Sequence, residues 1–138
     1  MHPDLTPLHS LEALDQALLA SHEHPLLIFK HSHSCGTSAE ALDEVLEHLA
    51  GPRGDARYAI VTVQTARDVS NAIVARLGAR HETPQALLVR DGAVVWSASH
   101  FRVRAAELER AISQHGAPPS DARSPAPPPT PTTTPTEN

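Results

Sequence analysis

The stretch Leu26-Leu27-Ile28-Phe29-Lys30-His31-Ser32-His33-Ser34-Cys35-Gly36-Thr37-Ser38 decides how the chain is built. Its first four residues are an unbroken apolar run of strand length, the pattern of a strand covered on both faces. From Thr37 a helical pattern begins. Between the two lies a short polar loop holding Cys35, the only cysteine of the chain. The first N–H groups of a helix have no intrahelical partner, and the helix dipole adds partial positive charge there. Both effects favour thiolate over thiol. The residues around Cys35 are small and polar and leave the sulfur accessible. A lone cysteine otherwise packs as a small apolar residue. The strand–loop–helix setting argues for chemistry instead.

Working outward, Thr37 to Leu49 reads as a helix. Ala39, Leu42, Leu46 and Leu49 take the buried side, and Glu40, Asp43, Glu44 and Glu47 the solvated side. Gly51-Pro52-Arg53-Gly54 stops it. Tyr58 to Val63, rich in β-branched residues, is a second strand. Asp68 is placed to cap a further helix that runs to Leu77, with Gly78 where a left-handed residue is wanted. Ala86 to Val89 is a third strand and Val94 to Trp96 a fourth, joined through the hairpin signal Asp91-Gly92. A last helix spans about Val103 to Gln114, with Leu108, Ala111 and Ile112 inward and no evident cap. Upstream, Thr6-Pro7 reads as the start of a helix ending near Ser21, with Leu11, Leu14 and Leu18 on one face. The strand–helix–strand unit requires a parallel pair with a right-handed crossover. The expected architecture is α/β: a mixed four-stranded sheet with helices on both faces.

Composition sets further bounds. Residues 1–115 suffice for one domain. Residues 116–138 hold eight of the thirteen prolines and no bulky apolar side chain, so a disordered Pro/Thr-rich tail is expected there. With only four aromatic residues, the core must be mostly Leu, Ile, Val and Ala. The net charge of −5 and the lack of a basic stripe argue against nucleic acid and anionic membranes as partners. No secretory leader and no apolar run near the ~20 residues of a membrane span is visible. A single cysteine cannot form an internal disulfide. A free thiol of this kind fits the cytoplasm.

Thr83-Pro84 precedes the third strand, at a position where the missing proline donor is tolerated. Combined with the element order, this resembles the thioredoxin fold, in which a cis-proline before this strand faces the reactive cysteine. Within that fold, Lys30-His31-Ser32, Asp68-Val69-Ser70-Asn71 and Arg80-His81-Glu82-Thr83-Pro84-Gln85 resemble the monothiol bacilliredoxin family. So do Asp91-Gly92, Trp96 and Ser99-His100. The likeness covers roughly residues 10 to 112. It implies an oxidoreductase that handles bacillithiol as a co-substrate, without a tightly bound cofactor, acting on S-thiolated proteins. The family's usual Thr-Cys-Pro is here Ser34-Cys35-Gly36. That departure makes the stretch similar to the Cys-Gly-Phe-Ser motif of monothiol glutaredoxins, which carry iron–sulfur clusters.

In that scheme Cys35 is nucleophile and then leaving group. Gly36, Thr37 and Ser38 stabilise its thiolate through amides and hydroxyls, and Thr83, beside Pro84, holds the substrate backbone. His33, Ser34 and His81 complete the substrate-binding rim. Lys30 either attracts the acidic groups of a small thiol or is a solvated strand end. His31, His33 and Cys35 alternate, and three such ligands can bind zinc or copper. Polar loop residues are the preferred reading, with His33 a cationic neighbour to sulfur and no metal assigned. Two other functions stand beside thiol exchange: an iron–sulfur carrier with one Cys35 from each of two subunits, and a redox-inert binding module.

Overall fold

Leu26–His31 forms β2, the central strand, with its first five residues buried because both faces are covered. On one side it pairs in parallel with β3 (Arg57–Thr62), and on the other antiparallel with β4 (Gln85–Arg90). β5 (Ala93–Ser99) adds antiparallel to β4, and β1 (Leu5–Pro7) adds parallel to β3. The sheet order is therefore β1-β3-β2-β4-β5. This computed structural model describes residues 2–115, and the expected tail at 116–138 lies outside the described residues.

Strand alternation divides the core in two. Leu27 and Phe29 point to one face, where they pack with Val45, Leu49 and Leu108 of α2 (Gly36–Leu49) and α4 (Ala105–His115). Leu26 and Ile28 point to the other face. They meet Leu14 of α1 (Leu11–Ala20) and Val69 and Ile73 of α3 (Arg67–Leu77). Burying each such side chain contributes roughly 1.5–3 kcal/mol, so the two layers fix the strand register and hence the loops at its ends. Asp91 and Gly92 both take positive φ (55° and 77°), as a tight primed hairpin turn requires. Gly78 closes α3 at φ 68°.

The sheet has five strands where four were expected. Thr6-Pro7 is not a helix start: Leu5–Pro7 is edge strand β1, with Leu5 paired to Tyr58 and buried in the core. An edge strand tolerates a proline because its outer N–H positions need no partner. Helix α1 begins at Leu11, where Ser10 Oγ accepts from the Ala13 N–H at 3.0 Å. Two helix faces hold except at their first members. In α1 Leu14 is buried and Leu18 packs against the core while Leu11 is exposed; in α2 Leu49 is buried and Leu42 and Leu46 pack against the core, joined by buried Ala41, Val45 and His48, while Ala39 is exposed. Asp68 does not cap α3. The helix starts one residue earlier, at Arg67, and the Asp68 carboxylate accepts from the neighbouring Val69 N–H. Helix α4 starts at Ala105, after a 3₁₀ turn at His100–Arg102. Its cap comes from another helix: Glu44 Oε1 accepts the Ala105 N–H at 2.8 Å. Among the described residues no helix is long and apolar enough to cross a membrane.

Candidate active site

Register gathers the chemistry-bearing loops at one end of the sheet. β2 runs antiparallel to β4 with Lys30 opposite Gln85, so the loop leaving His31 lies beside the segment that enters Gln85. The first carries Cys35 and the second carries Thr83-Pro84. β3 ends level with β2, His31 against Thr62, which brings Gln64 to the same end. β5 does likewise, since Ser99 pairs with Gln85.

Cys35 is half-buried, unpaired, and occupies the cap position of α2 in an extended conformation (φ −121°, ψ 120°). Its backbone carbonyl accepts from the Ser38 and Ala39 N–H groups, each at 3.1 Å. The sulfur itself makes no cap hydrogen bond. Space above Gly36 is open, for a Cβ there would meet nothing within 4 Å. The Gly36 and Thr37 amides have no backbone acceptor among the described residues and are the donors nearest the sulfur in sequence. Ser38 is engaged elsewhere. Its side chain is fully buried, with Oγ accepting from the Ser32 N–H at 2.9 Å and bonded to His31 Nδ1 at 2.8 Å.

A residue the sequence reading did not select holds this loop. Gln64 Nε2 donates to Ser32 Oγ (2.8 Å) and Ser34 Oγ (3.3 Å), while its Oε1 accepts from the His33 N–H (3.1 Å). The available signal was a polar side chain just past a strand parallel to β2, where it must meet the loop beyond His31. His33 and Ser34 are exposed. The His31 ring packs 5.8 Å from Phe29 and 5.9 Å from His33. Burial, then the neighbouring His33, hold His31 below the usual histidine range, against a hydrogen bond at Ser38.

Lys30 is not a solvated strand end. It is fully buried, and its Nζ donates to His81 Nδ1 at 2.9 Å. Desolvation pushes its pKa down from 10.5 to about 8. Lys30 therefore meets the surface through the exposed His81 ring. Burial, the Lys30 ammonium and Arg67 hold that ring below its ordinary range, and Glu82 opposes them. The Thr83–Pro84 peptide bond is cis, with Thr83 half-buried and Pro84 buried. The Pro84 carbonyl accepts from the His100 N–H at 2.9 Å. Among the described residues no group of three or more His, Cys, Asp and Glu side chains is arranged to hold a metal ion.

Comparison with known proteins bears on the family and the fold. A family model described as monothiol bacilliredoxin BrxC matches residues 6–108. Among solved structures, the chain is similar to a provisionally assigned oxidoreductase with a thioredoxin fold: 28% identity, TM-score 0.69, covering 78% of this chain and 93% of that one. Thioredoxin from Fasciola hepatica superposes at TM-score 0.65 with 17% identity, covering 80% of this chain and 99% of the other. A thioredoxin variant from Halobacterium salinarum superposes at 0.64 with 23% identity, covering 85% and 96%. At those identities the two thioredoxins establish the fold alone.

Proposed function

Because the chain belongs to the monothiol bacilliredoxin family, within the thioredoxin-fold thiol oxidoreductases, we propose that it removes bacillithiol from S-bacillithiolated proteins through Cys35. The Cys35 thiolate attacks the bacillithiol sulfur of a protein mixed disulfide. The protein thiolate leaves, and Cys35 is now joined to bacillithiol. A second bacillithiol thiolate attacks that disulfide, Cys35 leaves as thiolate, and bacillithiol disulfide departs. The net result is one protein thiol released and one free bacillithiol oxidised, as it joins the bacillithiol that the protein had carried. With no second cysteine in the chain, the resolving thiol must come from solution.

One observation carries this reading: the sole cysteine sits half-exposed at the start of α2, on the sheet end that also presents the cis Thr83–Pro84. The residues around it divide the work. Gly36 and Thr37 offer amides to the thiolate. Ser38 supports the loop through His31 and Ser32, acting as a positioning residue. Thr83 presents main chain to the substrate protein beside Pro84. His33, Ser34 and His81 form the rim, with Lys30 acting through His81. A single free thiol persists in a reducing compartment, so the reaction is assigned to the cytoplasm.

The test is intact mass after exposure to oxidised bacillithiol or oxidised glutathione, followed by transfer from a bacillithiol-modified protein. One bacillithiol adduct on Cys35 is expected, with complete loss of adduct and transfer in Cys35→Ser. A Cys35→Ser variant that still removes the modification refutes the mechanism. A thiol that accepts only glutathione refutes the assignment to bacillithiol.

A further inference from the structure

A cavity of about 290 Å³ lies between α2 and the connection from β5 to α4. Its α2 wall is Thr37, Glu40, Ala41 and Glu44, spaced i, i+3, i+4 and i+7 as one stripe down the helix. At 1.5 Å per residue the stripe is about 10 Å long, and it starts two residues from Cys35. The opposite wall includes His100, Phe101 and Arg104. Phe101 is a large apolar side chain left 70% exposed. His100 holds a positive φ of 58°, uncommon for a residue with a side chain, and its N–H is bonded to the Pro84 carbonyl. That bond ties the wall to the Thr83–Pro84 segment.

Charges of both signs meet in this cavity without pairing. Glu40 and Asp43 stand on the α2 side and Arg104 opposite. None of the three takes part in an ion pair among the described residues. Glu44 differs, being engaged with the Ala105 N–H. The volume is at the small end for small-molecule sites.

We propose that this cavity seats the non-sulfur part of a zwitterionic small thiol while its sulfur is joined to Cys35. Its ammonium group lies against Glu40 and Asp43, its carboxylate against Arg104, and Phe101 covers its carbon skeleton. The inference deepens the exchange reading and rests on it for the covalent step. In that step the Cys35 thiolate attacks a disulfide of the small thiol, a Cys35–small-thiol disulfide forms, and the second half departs as thiolate.

Two measurements separate the site from the chemistry. The first is binding of S-methyl bacillithiol, which cannot exchange, followed by amide ¹H–¹⁵N shifts. Shifts at Thr37, Phe101 and Arg104 are expected, with affinity reduced roughly three- to tenfold in Arg104→Glu, the scale of one solvated pair reversed in sign. The second is the rate of Cys35 with dithiodipropionate and cystamine, each as a ratio to neutral bis(2-hydroxyethyl) disulfide. Arg104→Glu should lower the first ratio, and Glu40→Lys with Asp43→Lys the second, each by about three- to tenfold. If Cys35 exchanges but shifts and ratios do not respond, the cavity assignment is overturned. If the thioether binds there while Cys35 attacks no disulfide, the exchange reading fails and the site stands.

Discussion

Replacing Lys30 by Met should stabilise the protein at neutral pH. Lys30 is the only lysine of the chain, it is fully buried, and among the described residues its ammonium has one hydrogen-bond partner, His81. Folding lowers its pKa from 10.5 to about 8. At 1.36 kcal/mol per pH unit, the buried charge costs roughly 3 kcal/mol at pH 7. The Lys30–His81 bond, about 1.5 kcal/mol for a charged donor, is lost in the variant. Methionine has a similar unbranched shape and no charge to desolvate. The net gain expected is about 1–2 kcal/mol, or several degrees in Tm. Between pH 8 and 10.5 the unfolded chain holds a proton that the folded protein has released. Wild-type stability therefore rises with pH across that window and the gap to Lys30→Met closes. Tyr58, whose pKa burial raises, acts in both proteins and cancels in the difference. Urea unfolding of both proteins from pH 6.5 to 10.5 measures the gap. Selective ¹³C labelling adds a direct check, because one lysine gives one Cε signal, which should titrate near pH 8. A signal titrating at 10 or above, or a variant destabilised equally at every pH, would refute the reasoning.

Glu44→Ala removes the cap of α4 and should lower stability by about 1 kcal/mol in thermal unfolding; an unchanged Tm would show that water replaces the carboxylate without loss. Gln64→Ala should leave the fold intact but slow Cys35 exchange several-fold in stopped-flow, because three hydrogen bonds that fix the loop are gone. An unaltered rate would mean that the loop holds its shape through Ser38 alone. Burial holds His48 below the usual histidine range, so the unfolded chain binds that proton first and stability is lost as pH falls below about 6.5. His48→Gln keeps an acceptor for the Tyr58 hydroxyl and should flatten the loss, leaving the part due to His31 and His81. A profile identical to wild type would exclude His48 from the acid response.

The central strand, the Cys35 loop and the hairpin were legible because each is local. An apolar run, a strand–helix junction and Asp91-Gly92 carry their geometry in adjacent residues. The family likeness added Thr83–Pro84, whose cis bond no local preference would have selected. What escaped notice depends on partners distant in sequence. Leu5–Pro7 becomes a strand only because β3 offers it an edge. The cap of α4 lies 61 residues upstream in Glu44, and the loop clamp Gln64 lies 31 residues beyond His33. Both readings of Lys30, a handle for acidic groups or a solvated strand end, took it as exposed because lysine is seldom buried, and here His81, 51 residues away, receives its ammonium. Ser38 was assigned to the sulfur by proximity in sequence, but its hydroxyl turns to His31 and Ser32.

The burial of the sole lysine also decides how the protein meets electrophiles. Among the described residues the surface offers no side-chain primary amine, since every other basic group is an arginine or a histidine. Aldehydes, reducing sugars and activated esters, which consume lysine on most proteins, find no such target on this surface. Cys35 remains accessible to sulfur electrophiles, while amine-specific ester crosslinkers find no side-chain amine among the described residues until unfolding exposes Lys30.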